Sequence, residues 1–175
     1  MAEQAVLLNS LFLLVPIGSY YYFKHGKKTL REFLGLKSIG PRKDLEYGFL
    51  GAVGLYAIAG IATGVAGLIG ADDSFKVGQA IKQVDKGTIV PLTITQSFTE
   101  EVFFRGFALK VVGNAPQAVL FGAMHYGFGS VVEVIAAGLA GLLLGFLSVK
   151  RKSVYSSIAA HALYNLYAVL AVGVQ

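Results

Sequence analysis

Glu100 and Glu101 are adjacent carboxylates in an otherwise apolar stretch, and Arg105 follows within the same run (T-E-E-V-F-F-R-G). On a helix, side chains four apart share a face, so Glu101 and Arg105 can form an ion pair. Glu100 is rotated from Glu101 by roughly 100° and cannot easily share that arginine. It must instead face water, a proton or groups on other helices. A carboxylate held away from bulk water is a candidate general base. The alternative is that both glutamates only join helices. Further along, Phe121 and His125 (F-G-A-M-H) put a histidine one turn after an aromatic ring, and His161 and Asn165 (H-A-L-Y-N) share one helical face. Two donors aimed at one point can stabilise an oxyanion. Each of these polar residues could also simply bond a neighbouring helix.

The elements that must hold these groups are membrane helices. Hydrophobic residues make up 55% of the 175-residue chain and charged residues 14%, against about 25% charged in a soluble domain. Mean hydropathy is +0.64. This composition argues against a soluble enzyme and against disorder. There is no cysteine, which excludes disulfides, thiol nucleophiles and thiolate metal sites. A bilayer crossing needs about 20 mostly apolar residues. Six stretches are candidates: Ala5–Phe23, Tyr47–Ala71, Thr88–Val112, the short Ala115–Ser130, Val131–Val149 and Ser153–Val174. The expected architecture is all-α, a single polytopic bundle over residues 1–175 with its polar site near mid-membrane. Charged groups at that depth are costly and therefore functional candidates.

Topology follows from the basic residues. Lys24, Lys27, Lys28, Arg31, Lys37, Arg42, Lys43, Lys110, Lys150, Arg151 and Lys152 fall on one side of a six-span zigzag. The positive-inside rule makes that side cytoplasmic and puts both termini outside. Lys27–Lys37 (KKTLREFLGLK) suits either a short interfacial helix or a solvated basic loop. Gly60/Gly64 and Gly141/Gly145, the latter extended by Ala137, are rows for close helix contact. Glu133 reads as interfacial and His25 as a surface residue. The basic loops explain the net charge of +5 without nucleic acid. The expected partners are membrane lipids and a peptide or protein substrate.

E-E-x-x-x-R, F-x-x-x-H and H-x-x-x-N, in this order within apolar helices, resemble the CPBP family of intramembrane proteases. These are the CAAX-processing and bacteriocin-processing (Abi) enzymes, akin to the type II CAAX prenyl endopeptidase. The resemblance covers about residues 88–175. It implies peptide-bond hydrolysis within or beside the membrane; in eukaryotic relatives the substrate carries a prenylated cysteine followed by three residues. Carried over by position, Glu100 activates water with His125 assisting, His161 and Asn165 hold the oxyanion, and Glu101 and Arg105 support the site. No H-E-x-x-H, P-loop or G-x-S-x-G occurs. No cofactor is expected, although Glu100, His125 and His161 could supply a zinc ligand set. The competing classes are a proton or ion transporter and a non-catalytic scaffold or immunity protein.

Overall fold

The computed structural model describes residues 2–23 and 28–172; Lys24, His25 and Lys27 lie outside the described residues. Its elements are α1 (Ala2–Phe23), α2 (Leu30–Phe33), α3 (Pro41–Leu68), α4 (Phe75–Lys82), α5 (Lys86–Glu101), a π-helical segment (Val102–Ala108), α6 (Leu109–Val112), α7 (Asn114–Met124), a 3-10 turn (His125–Phe128), α8 (Val131–Arg151) and α9 (Tyr155–Ala171). No strand occurs among the described residues. The polarity is inverted relative to a soluble protein. Leu45, Phe49, Leu50, Ile61 and Leu68 of α3 and Ile135, Phe146 and Val149 of α8 are exposed. Ser97, Glu101, Arg105, Gln117, Ser156 and Ser157 are buried. An apolar exterior around a polar interior is what a lipid solvent selects. The protein is an all-α membrane bundle. Helices α3 and α8 are each long and apolar enough to cross a bilayer.

Five of the six expected stretches coincide with a long helix, α5, the π segment and α6 together forming the third. The fourth does not. Helix α7 has 11 residues, about 16 Å at 1.5 Å per residue, roughly half of a hydrocarbon core. The 3-10 turn follows at His125, so the segment reaches Ser130 at the far end through a short helix and a turn, with His125 between.

Glycine decides two seams. A Cβ on Gly141 would lie 2.9 Å from Ala118 Cα, and one on Gly122 would lie 2.6 Å from the Val134 carbonyl. The expected row at Gly141 and Gly145 is therefore the α7–α8 contact. Gly48 and Gly51 do the same for α3 against Ala159 and Leu147. The other expected row is not a contact: Gly60 and Gly64 face open space, because α3 meets α8 and α9 through its first half.

The two ends of the bundle are tied differently. At the basic end, Thr29 and Glu32 form a capping box that starts α2. Phe33 and Leu34 then bury against Val102, with Tyr20 and Phe107 beside them. The segment read as either an interfacial helix or a solvated basic loop thus contains a single helical turn tucked into the bundle. Leu34 comes so close to the π segment that only glycine fits at Gly106. Val154 N–H donates to the Gly35 carbonyl, and buried Arg151 pairs with buried Asp44 at 2.8 Å. These contacts gather residues 28–46, Lys110 and 150–154 at one end.

At the opposite end Asp73 accepts from Ser130 Oγ at 2.7 Å and from the N–H groups of Val131 and Val132 at 2.9 and 3.2 Å. It caps α8 from a distant loop. Those donors hold its carboxyl well below the usual aspartate range. A depressed folded-state value stabilises the fold above the unfolded pKa of about 3.9 and is lost as pH falls through the folded value. We expect Asp73→Asn to lower the melting temperature at pH 7, with the gap to wild type narrowing in acid. A gap independent of pH would exclude the charge as its source.

Candidate active site

The site begins with the end of α5. Asp85 caps that helix by accepting from Thr88 N–H, and α5 delivers Glu100 and Glu101 at its last turn, both buried. The next residue opens the π segment. Such wide turns recur at functional sites because they re-aim side chains.

Glu101 is the hub. Its Oε1 accepts from Arg105 Nη1 at 2.6 Å, as the i,i+4 spacing predicts, and also lies 3.0 Å from His161 Nδ1 on α9. Arg105 Nη2 reaches the Gly141 carbonyl at 3.3 Å, and its guanidinium lies 4.3 Å from the centre of the Phe121 ring. Desolvated cation–π contacts of this kind stabilise by about 2 kcal/mol. Phe121 also contacts the rings of His125 (4.6 Å) and His161 (5.7 Å). The phenylalanine of F-x-x-x-H therefore joins the arginine to both histidines.

Glu100 points elsewhere, as its rotation from Glu101 requires. Its Oε1 accepts from Gln96 Nε2 at 2.9 Å, and its Oε2 lies 3.9 Å from His161 Nε2. His161 thus stands between the two glutamates, one on each ring nitrogen. His125 Nδ1 lies 2.8 Å from the Phe121 carbonyl. Since only a protonated nitrogen can bond a carbonyl, the Nδ1 proton is assigned there and Nε2 is left for other work. Asn165 Nδ2 donates to Ser97 Oγ at 3.3 Å, and Ser97 in turn to the Thr93 carbonyl at 2.8 Å.

His125, His161 and Asn165 line one cavity of about 30 Å³, walled by Phe121, Ala136 and Ala137 among others. That volume holds a water molecule, and the wall is polar enough to bind one. Glu100 joins the group through His161. All seven motif residues are thereby brought together.

Two partners were not legible as such. Glu133, expected at the interface, lines this same cavity; the short turn after His125 folds α8 back so that its first turn faces α7's end. The second is Glu101 as the partner that orients His161. Glu101 serves His161 and Arg105 at once. Gln96, one helical turn before Glu100, was a readable i,i+4 signal. Among the described residues no group of three His, Asp or Glu is placed to hold a metal ion.

Residues 86–167 match the family described as Type II CAAX prenyl endopeptidase Rce1-like. That segment, just under half of the chain, is similar to a CAAX-protease domain. All seven motif residues, from Glu100 to Asn165, fall inside it, and so does Glu133. Helices α1 to α4 precede the matched segment and pack on it, Phe12 against Phe103 and Tyr56 against Tyr164. No curated protein and no solved structure matches the chain. The similarity supports protease activity in general, with a peptide or protein as the substrate class.

Proposed function

We propose that the chain is an intramembrane endopeptidase whose attacking water is activated by Glu100. The observation that carries this reading is the shared geometry of the two glutamates. Glu101 is tied through Oε1 to both Arg105 and His161, with Oε2 buried, whereas Glu100 is bonded only by the neutral Gln96 and keeps Oε2 toward His161, which lines a water-sized polar cavity. In the proposed sequence Glu100, with His125 assisting, takes a proton from water as its oxygen attacks the scissile carbonyl. His161 and Asn165 donate to the resulting oxyanion. A doubly protonated His161 would give Nδ1–H to Glu101 and Nε2–H to the oxyanion. Protonated Glu100 then returns its proton to the leaving nitrogen as the C–N bond breaks. Glu101 and Arg105 hold the array.

The substrate class proposed is a C-terminal CAAX-type peptide, its prenylated cysteine followed by three residues. The test is purified protein with a farnesylated synthetic peptide, reading release of the C-terminal three residues by mass spectrometry. Cleavage of that peptide supports the reading. No turnover of any prenylated or unprenylated peptide would remove it.

The proposed chemistry uses no metal. Glu100, His125 and His161 come from three separate helices, and Asn165 is a poor zinc ligand but a good oxyanion donor. Active protein is expected to hold far less than one zinc per chain and to keep its turnover after chelation. Stoichiometric zinc, with a chelator loss that only metal reverses, would overturn this.

In the proposed topology the chain is a multi-pass protein of the cell membrane. Its basic end faces the cytoplasm and both termini lie outside. The chain has no cysteine, so single cysteines at Lys37 and Asp72 can be labelled cleanly. They should react from opposite sides. Labelling of both from one side would refute the arrangement.

A further inference from the structure

A second cavity lies away from the active site. It is a groove of about 960 Å³ at the basic end, bounded by the end of α1, by α2, by α6 and by the α8–α9 turn. Its wall is mainly apolar, with Phe23, Phe107 and Val149 among its residues, and three lysines stand on it: Lys28, Lys110 and Lys152. None of the three has a carboxylate within 4.0 Å among the described residues. The single acid on the wall, Glu32, is engaged by Lys37 at 3.2 Å and by Thr29. Lys110 Nζ donates to the Phe33 carbonyl, which fixes its ammonium at the groove. A groove with three uncompensated cations above apolar walls is complementary to an amphiphile with an anionic head.

Lys152 adds an independent observation. It is the only described non-glycine residue with positive φ, at 50°. It ends α8 in the left-handed conformation, where glycine is the usual and cheaper residue. The side chain is kept at the cost of backbone strain, and that side chain is one of the three cations.

We infer that this groove binds one anionic phospholipid, its phosphate among Lys28, Lys110 and Lys152 and its acyl chains along Phe23, Phe107 and Val149. The inference rests on the chain lying in a bilayer and not on its catalytic chemistry. Basic pockets between helices near the cytoplasmic leaflet are suited to such head groups.

The experiment is native mass spectrometry of the full chain from detergent, offered phosphatidylglycerol, phosphatidylcholine or inorganic phosphate. Phosphatidylglycerol should be retained over phosphatidylcholine, and millimolar phosphate should not displace it. Lys28→Gln with Lys152→Gln should weaken retention by about 30-fold, from about 1 kcal/mol for each lysine. Lys152→Gly guards against a folding artefact, because glycine relieves the left-handed residue. It should raise the melting temperature while weakening phosphatidylglycerol retention by about fivefold. Equal retention of the two lipids, full displacement by phosphate, or unchanged binding in Lys152→Gly would each overturn the inference. Turnover of peptide by wild type is scored separately and bears only on the catalytic reading.

Discussion

Glu100→Gln is expected to lower turnover by at least about 10²-fold, the usual scale for loss of a general base, and to leave the fold intact. The second half of that expectation comes from the environment of Glu100. Its hydrogen bond is from Gln96 Nε2, a neutral donor that an amide oxygen accepts equally well. The nearest basic nitrogen, His161 Nε2, is 3.9 Å away and so is not directly bonded. Removing this charge strands no buried cation. Melting temperature and helical content should therefore stay near wild type while product formation disappears. Retained turnover would dismiss Glu100 as the base. A loss of stability equal to that of Glu101→Gln would mean that both carboxylates are scaffolding.

The division of labour between the two glutamates was legible because it needs only helical geometry. Neighbouring residues cannot share a partner that sits four positions from one of them. The same rule put His161 and Asn165 on one face, and both line the cavity. What was not legible depends on how helices cross. Glu101 and His161 are 60 residues apart, and no local period announces that α5 and α9 pack side by side. Glu133 was misplaced for the same reason. Hydropathy puts it near the end of a span, but the turn after His125 decides whether that end is lipid interface or cavity wall. The π segment was hidden because no local period in V-F-F-R-G-F-A announces it, and neither does the close approach of Leu34 to Gly106 within it. The Gly60/Gly64 row shows the converse failure, a local pattern with no helix opposite it within the chain.

The hub role of Glu101 yields the most discriminating prediction. Glu101→Gln should cost about 3–5 kcal/mol, the range for breaking a buried pair and leaving one charge uncompensated. Arg105 would keep the Gly141 carbonyl, the Phe104 and Phe121 rings and a neutral amide oxygen, with no anion bonded to its charge. Arg105→Leu should cost a similar amount by stranding the carboxylate. The double replacement Glu101→Leu with Arg105→Leu removes both charges, and an apolar pair of that kind is often no less stable than the ions it replaces. Its stability should therefore recover well beyond the sum of the single losses. Activity should not recover with it. Leucine at 101 offers His161 Nδ1 no acceptor, so the ring loses the bond that aims Nε2 toward Glu100. Denaturation and peptide turnover measured on the same preparations separate the two functions. A double variant that is both stable and active would show that Glu101 serves Arg105 alone. One that stays as unstable as the single variants would show that the pair is needed for folding in its own right. A stable but inactive protein is the outcome that the three-way contact at Glu101 requires.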